Sequence, residues 1–137
     1  SDLKKSITNL TNSLHHGGKL IIVEDLYQSF KNGEIKPNIQ FLMKEWALSK
    51  LFSKEDYISI FNELDLIKIH EIDLTPGVIH RQRKKLAKLI KFYRFMSPLI
   101  LFPKWRRVWN IFLSGFIFED LYASGNLSYQ IFIYQKL

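Results

Sequence analysis

Apolar residues recur along this chain with two periods, and the switches between them mark its elements. Leu3, Ile7, Leu10 and Leu14 fall on one face of a helix over residues 2–14. Gly17 and Gly18 follow, offering the positive φ angles that close a helix. The stretch "KLIIVE", residues 19–24, is apolar at consecutive positions. That predicts a strand buried on both faces, as in a sheet with helices on either side. Gly33 and Pro37 break the next stretch, and Ile35, Ile39, Leu42 and Trp46 then suggest a short helix. Ser53 with Asp56 three positions on reads as an N-cap and capping box. The helix it opens has Tyr57, Ile60, Phe61 and Leu64 as its apolar stripe. "LIKIHEIDL", residues 66–74, alternates with period two and predicts a strand with Leu66, Ile67, Ile69 and Ile72 partly buried.

Pro76 and Gly77 end that strand. Residues 79–96 read as a helix with Leu86, Leu89, Ile90 and Tyr93 inward and Arg81, Lys84, Lys85, Lys88 and Lys91 on another face. Pro98 and Pro103 bracket a bend. Trp105, Trp109, Phe112 and Phe116 line up on a further helix. "GNLS" is a turn, and "YQIFIYQKL" closes the chain as a strand apolar at consecutive positions, which suits the middle of a sheet. The order is helix, strand, two helices, strand, two helices, strand, which is an α/β pattern with only three strands. Three strands make a poorly covered sheet, and the neighbour expected on one side of the strand at 19–24 is not visible in these residues.

Composition narrows the picture. The 137 residues are 47% hydrophobic and 15% aromatic, enough for one domain with a real core. Cysteine is absent, which excludes disulfides and thiolate metal sites. His15 and His16 sit side by side in a turn with no carboxylate at ligand spacing, so no metal site is expected. No signal-like or membrane-spanning run is visible. The expected location is cytoplasmic, at most peripheral to a membrane.

The net charge of +7 belongs to one segment. Ten of the 20 Lys and Arg lie between Arg81 and Phe118, where no acid occurs; the other ten face thirteen acids, a balance of −3. Such a segment is a solvated helix over an aromatic core, a surface for anionic lipid, or a nucleic-acid surface. Nucleic acid fits least, because the aromatics are spaced as helix core and not as a stacking platform.

Three stretches carry a resemblance. "LHHGGKLIIVED" resembles the fifth-strand segment of class I S-adenosylmethionine-dependent methyltransferases, with Leu14, Gly17 and Gly18 at the helix-ending turn. "FSKEDYISIFNELDLIKIHEIDLTPGV" is similar to the sixth-strand region of the branch that methylates small amines, tocopherols and quinol rings, with Asp73, Thr75 and Val78 at the strand exit. "GFIFEDLYASGNLSYQIFIYQKL" resembles that branch's ending, through Leu121, Tyr122, Gly125, Tyr129 and Lys136.

The resemblance implies a partial Rossmann-like methyltransferase fold. Residues 1–137 would be its C-terminal, substrate-side portion, with strands five, six and seven and their covering helices, and without the first four strands. The segments at about 26–52 and 75–122 would form lid and pocket. The last strand would lie antiparallel between the other two, leaving the strand at 19–24 as an open edge that invites a partner chain or a second copy.

The family's cofactor loop is a Gly-x-Gly, and none of the six glycines here makes one. S-adenosylmethionine is therefore expected in the intact enzyme and not on this chain alone, which could be a truncation, a proteolytic remnant or half of a split enzyme. The resemblance implies substrate-side roles for Glu24 and Asp25 at a strand's carboxyl end, with Tyr27 beside them, and for Asp73, Thr75 and His80 around the Pro-Gly turn. Each has a plainer reading: strand end, turn chemistry or solvated loop. No catalytic residue is singled out. The function so read is methyl transfer to a small or apolar acceptor, as part of a larger enzyme. The alternative is a non-catalytic α/β binding module that pairs through its open sheet edge or docks on anionic membrane through residues 81–107.

Overall fold

The computed structural model describes residues 2–28, 37–48 and 50–137. Its elements, in chain order, are α1 (Asp2–Asn12), β1 (Lys19–Tyr27), α2 (Pro37–Glu45), α3 (Lys54–Asn62), β2 (Leu66–Asp73), the helical turn α4 (Thr75–Val78), α5 (Arg83–Met96), a 3-10 turn (Ser97–Leu99), α6 (Pro103–Ala123) and β3 (Leu127–Lys136). Gly33 and Ile35 lie outside the described residues.

The sheet order is β1-β3-β2, with β3 antiparallel to both neighbours. The last strand is therefore central and β1 lies at an edge, as the resemblance implies. Two contacts lock β1 to the end of the chain. Gly17 takes a φ of +77°, and its N–H donates to the Lys136 carbonyl at 2.9 Å. The Lys136 ammonium donates to the carbonyls of Thr11 and Leu14 at 3.0 and 2.9 Å, capping α1 with a cation where its dipole is negative. Gly18 has no positive φ, against expectation; it is small because a Cβ there would lie 2.8 Å from the His15 carbonyl oxygen.

One face of the sheet is closed by α1 and α3. Ile7, Leu20, Leu26, Tyr57, Ile60, Phe61, Phe132 and Tyr134 form that core. Its centre is aromatic: the Phe61 and Tyr134 rings lie 4.1 Å apart, and Tyr57 stacks on Phe132 at 5.9 Å. Ser53 caps α3 with the expected capping box to Asp56, so α3 starts where local chemistry says it should.

The other face is only partly covered. α2, α5 and α6 pack Ile39, Leu42, Ile90, Leu113, Ile117 and Leu121 together and rest on Leu127 and Tyr27 at one end of the sheet. Beyond that end Ile21 is 59% and Val23 43% exposed. Among the described residues, the strand at 19–24 is thus buried on one face only, because the helices described cover the second face only near Tyr27. β2 departs from expectation in the same way. Leu66 is half-buried, but Ile67, Ile69 and Ile72 are exposed, and a bulge between Lys68 and His70 interrupts the alternation.

The basic helix also starts later than its pattern suggests. Residues 79–82 are not helical, and α5 begins at Arg83. The cause is Glu119 on α6, only 5% exposed, whose carboxylate accepts the backbone N–H groups of His80, at 2.7 Å, and of Arg81, and pairs with the Arg81 guanidinium. Arg81 therefore belongs to an anchor and not to a free basic stripe. Arg83 turns back to Asp120 at 3.7 Å. On α6 the buried stripe is Leu113, Ile117 and Leu121, while Trp105 and Phe112 point outward. Trp109 stays half-buried, stacked on Tyr93 at 4.2 Å.

Candidate functional site

The candidate site lies at one end of the sheet, where β1 and β2 finish and β3 begins. Register sets its layout. Glu24 and Asp73 are both Cα partners of Gln130, one on each side of the central strand. Neighbouring strands pair side chains on the same face, so acid, amide and acid form a row across three strands. The N-terminal turn of α3 stands over this row and brings in Lys54, Glu55 and Tyr57. Between them opens a cleft of about 280 Å³ lined by Leu26, Tyr27, Gln28, Lys54, Glu55, Asp73, Ser128 and Gln130.

The two acids of the row hold protons differently. Burial raises the affinity of Glu24 for a proton, and the adjacent Asp25 adds to this, although a hydrogen bond from the Tyr57 hydroxyl works the other way. Burial and the Glu24 charge push the Tyr57 phenol far above its ordinary range, so Tyr57 stays a donor. Asp73 is held below the usual carboxylate range, first by the Thr75 hydroxyl, then by the Thr75 N–H at 2.8 Å, and also by Gln130. The Thr75 oxygen in turn accepts the Tyr129 N–H at 2.9 Å. Thr75 thus ties the exit of β2 to the start of β3. Near the row, Glu71 accepts from Lys54 and Lys68, and these cations keep it ionised.

Asp25 lies on the opposite face, because successive residues of a strand alternate. There the Tyr122 hydroxyl of α6 donates to its carboxylate. Burial and that bond drive the Tyr122 phenol well above its ordinary value. Glu24 and Asp25 are therefore two separately anchored carboxylates, each bound by a tyrosine from a different helix layer.

Of the residues expected from sequence, Tyr27 and Asp73 line the cleft, Thr75 supports Asp73, and Glu24 is a register partner of Gln130 but does not line the cleft. Asp25 faces the other layer. His80 is exposed and does not line the cleft; its backbone is held by Glu119. Gln130, Lys54 and Tyr57 were missed as site members. A signal for Gln130 existed: a polar residue inside the apolar run of a central strand needs a buried partner. The Glu119 anchor also had one, since Glu119 and Asp120 are the first acids after the basic segment and fold back onto its first two arginines. Among the described residues no cluster of His, Asp and Glu could hold a metal ion, and no helix is long and apolar enough to cross a membrane.

No protein-family model matches this chain, and no curated protein matches its sequence. Solved structures do match its fold. A geranyl diphosphate methyltransferase in complex with S-adenosylmethionine superimposes with a TM-score of 0.65 at 14% identity, covering 100% of this chain and 46% of that one. A putative sarcosine dimethylglycine methyltransferase from Galdieria sulphuraria gives 0.63 at 19% identity, covering 98% and 47%. Geranyl diphosphate C-methyltransferase from Streptomyces coelicolor A3(2), in complex with magnesium, geranyl diphosphate and S-adenosylhomocysteine, gives 0.65 at 13%, covering 100% and 43%. The chain thus spans about half the length of these structures, and across that half it shares their fold.

Proposed function

We propose that this chain is the C-terminal, substrate-side half of a class I S-adenosylmethionine-dependent methyltransferase, of the branch acting on small amines or quinol-type rings. The observation that carries the reading is the match of the entire chain to 46% of a geranyl diphosphate methyltransferase; the order β1-β3-β2 is the one the resemblance implies. The open edge of β1 is where the remaining strands of such a sheet would pair.

The residues of this chain do not form the cofactor's cradle, since none of its glycines makes a Gly-x-Gly. Its proposed part is to receive the methyl acceptor. In the cleft, Gln130 and Asp73 offer hydrogen-bond acceptors to an ammonium or hydroxyl group, and Glu24 stands next to Gln130 in the same row. Glu24, with its raised proton affinity, is suited to hold a proton released there. A cleft so polar supports the small-amine end of the branch more than an apolar acceptor. On this reading catalysis comes mainly from positioning and exclusion of water.

The test is methyl transfer from tritiated S-adenosylmethionine to a panel of small amines and phenols, by this chain joined to its cofactor-binding half. Glu24→Gln and Asp73→Asn should each lower turnover at least about tenfold while cofactor affinity holds, a typical loss for a positioned polar group. Turnover equal to wild type in both variants would remove this row from the site.

A further inference from the structure

The five most exposed large apolar side chains among the described residues all lie between Phe95 and Trp105. Leu101 is 85% exposed, Phe95 74% and Phe102 71%, with Trp105 and Leu99 close behind. They occupy the elbow where α5 passes through the 3-10 turn into α6. Pro98 stands in the 3-10 turn, and Pro103 opens α6. Proline fixes φ, so the elbow presents these side chains outward with little freedom to fold them back.

Cations flank the elbow at Arg94, Lys104, Arg106 and Arg107 and continue back along α5. With Arg81 and Arg83 taken by Glu119 and Asp120, eight remain: Lys84, Lys85, Lys88, Lys91, Arg94, Lys104, Arg106 and Arg107. Among the described residues none of these eight pairs with a carboxylate; Arg94 donates to the neutral Asn38 at 2.6 Å. Beside the elbow a cavity of about 430 Å³ opens between α2, α5 and α6, and Lys44, Arg94 and Arg106 line it together with Glu45 and Asn110.

We infer that this elbow docks on an anionic lipid bilayer, with Leu99, Leu101, Phe102 and Trp105 entering the interface and the cations meeting the headgroups. The combination decides the partner. An apolar tip of aliphatic and aromatic side chains flanked by uncompensated cations suits the boundary between acyl chains and anionic headgroups. A second copy of the chain would bring the two sets of cations face to face, which repels. A nucleic acid would use the charge but would leave Leu99 and Leu101 in water, because stacking needs flat aromatic faces.

Flotation of the full chain with phosphatidylcholine vesicles, with and without phosphatidylserine, tests this. Binding should require phosphatidylserine and should weaken as salt shortens the screening length. Each cation near such a surface is worth about fivefold in partition, so Lys104→Glu with Arg106→Glu and Arg107→Glu, beside the apolar tip, should cut binding at least about a hundredfold. Leu101→Ser with Phe102→Ser should also cut binding, although the charge is untouched and both side chains are too exposed to threaten the fold. Trp105 fluorescence should shift to the blue on phosphatidylserine vesicles. No binding to phosphatidylserine vesicles at low salt would overturn the inference. So would binding that ignores the Leu101, Phe102 pair, or self-association that this pair abolishes in the absence of lipid. These readouts do not depend on methyl transfer, so the proposed function and this surface stand or fall separately.

Discussion

The two faces of the sheet are built from similar residues and meet different fates. On the face under α1 and α3, Leu20, Ile22 and Phe132 lie in or against an aromatic core. On the reverse face, one position along the same strands, Ile21 and Val23 stand in water. β-branched apolar residues placed on a wet face gain nothing from burial there. The contrast shows that β1 carries a sequence suited to cover on both sides, while these residues supply cover for one. That side, and the β1 edge beside it, which pairs with no second strand among the described residues, are where the rest of a methyltransferase sheet would attach under the proposed function.

Stability measurements should separate the faces most clearly. Phe132→Ala removes a ring that touches Tyr57 and Phe61 in a fully buried site, so it should cost about 3–5 kcal/mol in urea unfolding. Val23→Thr keeps the β-branched shape on the bare face and should change stability by no more than about 0.5 kcal/mol. If the two costs come out alike, the bare face is covered in solution and the contrast fails.

The paired carboxylates sharpen the same comparison on a smaller scale. Tyr122→Phe removes the hydroxyl that binds Asp25 on the α6 side and should cost about 1–2 kcal/mol. Glu24, on the α3 side, should respond with the opposite sign. Its folded pKa is raised, so the folded state binds the proton better than the unfolded one, and the resulting stability is complete only below the ordinary carboxylate range. It is lost as pH rises through the folded value. Glu24→Gln should therefore raise neutral-pH stability slightly, by less than about 1 kcal/mol, and that gain should vanish on acidification. Thermal melts of wild type and both variants across the carboxylate range check both signs.

How much of this was readable from sequence depended on how far each cause acts. The α3 capping box was readable because Ser53 and Asp56 are three residues apart. The central place of β3 was readable because its apolar positions run consecutively and the resemblance implied that order. The wet face of β1 was not, since an apolar run reports what a strand is suited to and not what its own chain places over it. The late start of α5 depends on Glu119, 38 residues from Arg81, and the fixing of Asp25 depends on Tyr122, 97 residues away. Periodicity within a window cannot register pairings at that range. The α6 stripe differs from the aromatic line of the sequence because Phe112 and Phe116 each sit one position from the buried Leu113 and Ile117, and aromatic size alone does not say which neighbour faces the core.

The central proposal is that this chain carries the acceptor side of a methyltransferase and that cofactor binding needs a separate cofactor-binding half. Calorimetric titration of S-adenosylmethionine into residues 1–137, alone and together with a cofactor-binding half, tests that proposal most directly. The account predicts no binding heat for the chain alone and stoichiometric binding once the sheet is completed along β1. Micromolar, one-to-one binding by residues 1–137 alone would contradict it.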